Sequence, residues 1–399
     1  MSHRTRALPV RRLLAAGAVA ALAVTLASCA GDVEDPASTT VTAPAAEAGG
    51  ALDLAGICPE TIVMQQDWQP EAEHGAMYAL VGEGYRIDAD AKRVTGPLVA
   101  QGVYTGVDIE VRPGGPNVNF QPVPALMYLD PDIFIGAVNT DAAIVAAADQ
   151  PTVAVTSQLT WSPQILMWDP ASHDGATTIA EAAADGAPVV TSGDIIPAML
   201  LSQGIIEPSQ VDTSYEGTPQ RFVADPSILQ QGFATSEPYF YEEEIEEWGE
   251  PIGFQLLSEI GYSIYPEPLA VRPETIEEYG DCLAKLVPIM QQAQIDFLAE
   301  PDTTIDLILE LVDAYQTGWT YSRGLAEYSV ESQRSLGIVI DDPASGVFGQ
   351  FDPARMQAIV DDFVPFLVET GAMSEADAAD VDVEALYTNE FIDPSISIG

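Results

Sequence analysis

Thr61-Ile62-Val63-Met64-Gln65-Gln66-Asp67-Trp68-Gln69-Pro70-Glu71-Ala72-Glu73-His74 holds a strand, a loop and the start of a helix in one short run. The apolar, partly β-branched segment Thr61–Gln65 suits a pleated, buried surface. Pro70 fits the first turn of a helix, and Glu71 and Glu73 lie near the positive end of its dipole. Gly82 or Gly84 ends that helix. The order strand, loop, helix opens an α/β unit, and it makes Asp67 and Trp68 the residues delivered at the strand's carboxyl end.

The pattern continues downstream. Val107–Arg112 alternates as a strand and stops at Pro113-Gly114-Gly115-Pro116, and Asp132–Val138 reads as a continuous apolar strand for a sheet covered on both faces. Further strands are expected at Thr152–Thr156, Gln164–Trp168, Pro188–Ser192 and Gly232–Ser236, with a helix over Ile195–Gln203. The last third turns helical, with amphipathic segments at Pro273–Leu298, Thr303–Gln316 and Asp352–Thr370. No internal repeat is visible. The fold class is α/β with a largely parallel sheet and a second α/β lobe in the middle of the chain.

Upstream lies an address. Arg4, Arg6, Arg11 and Arg12 precede the apolar run Leu13–Leu26, a charged segment followed by a signal-peptide core that is too short to span a bilayer. The run ends Leu26-Ala27-Ser28-Cys29, which looks like a bacterial lipobox and makes Cys29 the expected lipidation site. Arg11-Arg12 matches a twin-arginine signal only in part. Residues 29–57 are rich in Ala, Thr, Pro, Gly and acid and read as a flexible tether.

The chain has 399 residues, 47% of them apolar, with 14 basic side chains against 61 acidic ones for a net charge of −47. Removing the leader takes away four of the basic residues and deepens the imbalance. Such a surface repels polyanions and excludes nucleic acid as a partner. Its length and composition support a substantial core. Cysteine is scarce. After export, Cys58 and Cys282 meet an oxidising compartment and are expected to pair, pinning the start of the fold to the helix that begins at Pro273.

Catalytic signatures are missing from the sequence: there is no GxxxxGK, HExxH, CxxC or GxSxG. Two mature histidines, His74 and His173, far apart in the chain, argue against a zinc site, and Asp88 and Asp90 lack the further ligands of a calcium loop. No metal, cofactor or catalytic residue is therefore assigned. The loops after strand ends supply the candidate site instead: Asp67 and Trp68, then Arg112 with Gly114 and Gly115, then Asn139 and Thr140. The second lobe offers Thr160 and Trp161, Ser192, and Ser236, Glu237 and Tyr239 by the same rule. Each also has an ordinary structural role open to it, such as an ion pair for Arg112 or a helix cap for Asp67.

Gln66–Leu80 with Gly84-Tyr85, Gly114-Gly115-Pro116, Asp132–Gly136, Gln231–Pro238 and Tyr387–Ile392 together resemble the ABC-transporter substrate-binding proteins for nitrate, taurine, aliphatic sulfonates and thiamine-pyrimidine precursors. The resemblance runs from about Ile57 to Ile392. It implies a type II periplasmic-binding-protein fold, two α/β lobes joined by a two-strand hinge. Lobe 1 would take residues 58–151, lobe 2 residues 152–252, and residues 253–399 would return through the hinge to place the C-terminal helices on lobe 1, after a signal peptide at 1–28. It further implies a monomeric, extracytoplasmic, lipid-anchored protein that captures a small molecule by closure and hands it to permease and ATPase subunits, without catalysis.

Asp67-Trp68 followed by His74 is similar to the branch that binds pyrimidine precursors, with an indole stacking on the ring and a carboxylate accepting from an exocyclic amine. Arg112 beside Gly114-Gly115 suits a sulfonate or carboxylate instead. Two other readings stay open: an enzyme of the same fold in which His74 is reactive, and a receptor lipoprotein not coupled to transport.

Overall fold

The computed structural model describes residues 41–193, 195–215 and 217–399. The leader and Cys29 lie outside the described residues. Strands β1 (Thr61–Gln65), β2 (Arg86–Asp88), β3 (Arg93–Ala100), β4 (Val103–Arg112), β5 (Ile133–Ala137) and β6 (Val153–Thr156) lie in one sheet. Strands β7 (Gln164–Trp168), β8 (Val189–Val190), β9 (Val211–Asp212), β10 (Leu229–Phe233) and β11 (Gly253–Leu256) form a second. β12 (Leu269–Val271) returns to the first sheet between β5 and β6, giving the orders β2-β3-β4-β1-β5-β12-β6 and β11-β7-β10-β8-β9. The two mixed sheets with flanking helices make two α/β lobes, as in the type II periplasmic-binding-protein fold.

Alternation of side chains explains how each central strand is buried twice. On β1, Ile62 and Met64 join a cluster with Cys282, Leu283 and Leu286 of the helix Pro273–Ala299, whereas Val63 faces the other way into a cluster with Met127 and Ile133. On β7, Leu166 and Trp168 face that second cluster, and Ile165 and Met167 face a separate one with Phe222 and Tyr241. Strands covered on both faces need near-continuous apolar sequence, which is what Thr61–Gln65 and Gln164–Trp168 supply.

Several sequence expectations need correction. The first sheet is mixed rather than largely parallel: β1 runs parallel to β4 and β5, but β3 pairs antiparallel with β4, and β12 antiparallel with β5 and β6. Gly96 and Pro97 hid β3 from the pattern, because Pro97 cannot donate to a ladder and the register shifts there. The fourth middle strand covers Leu229–Phe233, and Ala234–Ser236 already turns away from it.

Lobe boundaries also move. β6 remains in the first sheet, held by β12, and β11 remains in the second, held by β7. The chain therefore crosses at residues 157–163 and returns at 257–268, and these segments are irregular apart from one helical turn at Leu257–Ile260. Arg355 joins them. Its guanidinium lies 3.9 Å from the Trp161 ring centre and 3.7 Å from that of Tyr265, and it donates to the carbonyls of Thr160, Ser263 and Ile264. Arg355 belongs to the helix Pro353–Glu369, which packs on Thr140–Ala146 of the first lobe and on Ile195–Ser202 of the second, so the C-terminal helices do not rest on one lobe alone.

The tether is shorter than its composition suggests. The first residues of β4 extend past β1, and their free edge is taken by Pro44 and Ala46, which pair with Tyr104, and by Leu54, which donates to the Thr105 carbonyl. Leu54 is fully buried, and the Lys285 ammonium donates to the Gly50 and Asp53 carbonyls. Cys58 and Cys282 are disulfide-bonded with a Cα separation of 5.0 Å, fixing this segment to the long helix.

Candidate functional site

β1, β4 and β5 are parallel neighbours, so the loops that follow Gln65, Arg112 and Ala137 emerge side by side. Two of them touch at backbone distance. Gly114 donates to the Trp68 carbonyl at 2.6 Å and Gly115 to the Asp67 carbonyl at 2.8 Å. A Cβ on Gly114 would lie 2.4 Å from Asp67 backbone atoms, and Gly115 has φ +59° with Trp68 against it, so both glycines are required by this approach. Their N–H groups are spent on the loop and do not form an anion cradle.

Between these loops is a cavity of about 170 Å³ lined by Asp67, Trp68, Gly115, Phe120, Val123 and Asn139, among others. The Trp68 and Phe120 rings are 6.0 Å apart, and Trp319 meets Trp68 edge-on at 6.3 Å. Phe120 is 66% exposed, and both it and Asn119 have positive φ, an uncommon backbone for non-glycine residues. That strained turn holds an apolar ring over the cavity mouth.

His74, 1% exposed, anchors the polar wall. Its Nε2 is 3.0 Å from Asp67 Oδ1 and 3.0 Å from Glu267 Oε2, while Nδ1 faces the Gln69 carbonyl at 3.3 Å. Asn139 donates to Asp67 Oδ2 and accepts from the Glu267 backbone N–H, each at 3.1 Å. Burial disfavours a charged imidazole, but the Glu267 and Asp67 carboxylates outweigh it and hold the His74 pKa well above its ordinary value. Glu267 itself is pushed up by burial and by the Asp67 charge.

The second lobe reaches the same region. Thr235, just past β10, donates to Glu73, whose carboxyl is raised to about 8 by burial and by Glu267. Glu237 accepts from the Phe233 N–H at 2.6 Å, and burial raises its pKa to about 7. Tyr239 packs on Tyr328 with ring centres 5.5 Å apart. The Thr235 and Tyr239 contacts cross between lobes, whereas the Glu237–Phe233 bond stays within the second, at the turn through Ser236.

Of the residues chosen from sequence, Asp67, Trp68, His74 and Asn139 come together. The others have different roles. Arg112 donates to Glu110 at 2.7 Å and Asp130 at 2.8 Å and does not line the cavity. Thr140 is buried and donates to the Tyr265 carbonyl. Thr160 and Trp161 belong to the crossing segment, their N–H groups bonded to Ile338 and the Trp161 ring beneath Arg355. Ser192 is bonded to Gln231 within the second lobe. Sequence reasoning missed Glu267, Glu73, Thr235, Phe120 and Trp319. Phe120 lay in a loop already singled out, but Glu267 is brought to His74 only by the pairing of β12 with β5.

The architecture is the type II periplasmic-binding-protein fold. No protein-family model matches the chain, and no curated protein matches it. Among solved structures, it is similar to the periplasmic aliphatic sulphonate binding protein from Escherichia coli, at 12% identity and TM-score 0.50, covering 82% of this chain and 92% of that one. It is also similar to the zinc-bound ligand-binding component of an ABC-type import system from Staphylococcus aureus, at 12% identity and TM-score 0.50, covering 86% and 100%. At these identities the likeness is one of fold.

Proposed function

We propose that this chain is the extracytoplasmic solute-binding component of an ABC importer, held at the membrane by a lipid on Cys29, which binds a small ring-bearing solute and passes it to permease and ATPase subunits. The observation that carries this reading is the cavity at the carboxyl ends of three parallel strands, walled by Trp68 and Phe120 with Asp67 and Asn139 as its polar groups. The fold and the export leader both support it. Binding without catalysis is the accompanying inference.

The polar wall favours a neutral heteroaromatic that donates from an amine to Asp67. An anion has less to recommend it, because Arg112 is committed to two carboxylates and the Gly114 and Gly115 N–H groups to two carbonyls. The test is a thermal-shift screen of the chain against aminopyrimidines, other heteroaromatic amines, alkanesulfonates and carboxylates, followed by calorimetry on the hits. A ring-bearing amine should stabilise the fold in proportion to its concentration over its affinity. Stabilisation by sulfonates alone would overturn the ligand class, and an absence of any stabilising small molecule would overturn the binding role.

A further inference from the structure

We propose that Asp67, His74 and Glu267 form a divalent-cation site in the polar wall of the cavity, taking one first-row ion of the Zn²⁺ or Mn²⁺ kind. Each side chain offers one ligand atom, and the three atoms all lie within 4.8 Å of one another, with His74 Nε2 at 3.0 Å from each carboxylate. An ion bonded at 2.0–2.2 Å to oxygen and nitrogen sets neighbouring ligand atoms about 3–3.5 Å apart. The side chains need to move little to receive it.

They come from three separate pieces of chain: the loop after β1, the helical turn Ala72–His74, and the loop before β12. Their surroundings are those of a ligand set. The His74 ring is 1% exposed, and its Nδ1 faces the Gln69 carbonyl, which directs Nε2 at the two carboxylates. Asn139 bonds the second oxygen of Asp67 and the backbone of Glu267, tying both carboxylate-bearing segments together from outside the shell. One imidazole with two carboxylates suits Zn²⁺ or Mn²⁺ better than a soft ion, and two negative charges match a dication.

Asp67 and Asn139 also line the cavity, so the open side of the ion faces the space where a small molecule fits. Water, or a donor atom of the solute, completes the coordination. The site stands whether or not the chain serves a transporter.

The experiment is calorimetric titration of the chelator-treated full chain with ZnCl2 in excess Mg²⁺, which occupies the acidic surface, beside Co²⁺ loading read by X-ray absorption. One equivalent should bind, with a nitrogen and oxygen shell around Co²⁺, and His74→Gln should lower Zn²⁺ affinity about tenfold or more. Far-UV circular dichroism verifies that the variant folds; Glu267→Gln, with the same expected loss, serves if it does not. Failure to bind one equivalent, an all-oxygen shell, or undiminished affinity in a folded variant would overturn the site.

Discussion

Arg112 and His74 are each a basic side chain held between two carboxylates at the carboxyl end of the first sheet, yet they do different work. Arg112 sits between Glu110 and Asp130, cannot give up its proton, and leaves no coordination to offer. His74 sits between Asp67 and Glu267, and its Nε2 can exchange a proton for another cation. The difference lies in what else touches the carboxylates. Asp67 borders the cavity and is braced by Asn139, whereas Glu110 is braced by Thr95 and Arg93 within its own sheet. The same charge arrangement is structural in one place and addressable in the other.

Removing the arginine from its cluster tests that contrast most severely. Arg112→Met leaves the buried Glu110 and its neighbour Asp130 without their shared cation and should cost about 3 kcal/mol of stability in urea unfolding. Ligand affinity of the folded variant should not change. A loss of affinity at unchanged stability would place Arg112 in the binding site after all.

Glu237 is the case of a carboxyl with no cation beside it among the described residues. Its folded-state pKa, about 7, exceeds that of the unfolded chain, so the native protein binds its proton more tightly and loses stability as pH rises from about 4.5 to 7. The loss levels off above that window. Glu237→Gln, which keeps an acceptor for Phe233, should remove this slope and be more stable than the parent by about 2 kcal/mol at pH 8. Parallel pH profiles for the two proteins would refute it.

Arg355 is a cation held by carbonyls and rings instead of acids. Arg355→Lys keeps the charge but loses the planar fork that reaches both crossing segments, and should cost about 1.5 kcal/mol. Hydrogen exchange at residues 157–163 and 257–268 should speed up in that variant. Unchanged protection there would show that the crossing segments are fixed by other contacts.

Trp68→Ala should have the smallest effect on the fold, since the indole is half-buried at a strand end. Calorimetry should show a ring-bearing solute bound about 1–3 kcal/mol more weakly. Equal affinity in variant and parent would remove the aromatic wall from the binding argument.

What the sequence conveys and what it conceals follow from the range of the interactions. The strand Thr61–Gln65 and the loop residues Asp67 and Trp68 were legible because they depend on local pattern and on the rule for strand ends. β12 is three residues long, and nothing local marks it, so the arrival of Glu267 beside His74 was hidden with it. The ion pair open to Arg112 has a local basis, since residues 110 and 112 lie on one face of a strand and an acid two positions away is a ready partner, but the second partner, Asp130, depends on the tertiary fold. Gly114 and Gly115 were recognised as a turn, but only the contact with the β1 loop shows where their N–H groups are spent.

The disulfide has a topological consequence. All five strands of the second sheet, from Gln164 to Leu256, fall between Cys58 and Cys282, so that entire lobe lies inside one covalent ring. A protease that cuts anywhere within it opens the ring without dividing the molecule. The nicked protein would run as two fragments on a denaturing gel only after reduction, and its amino-terminal part would stay attached to the carboxyl-terminal helices.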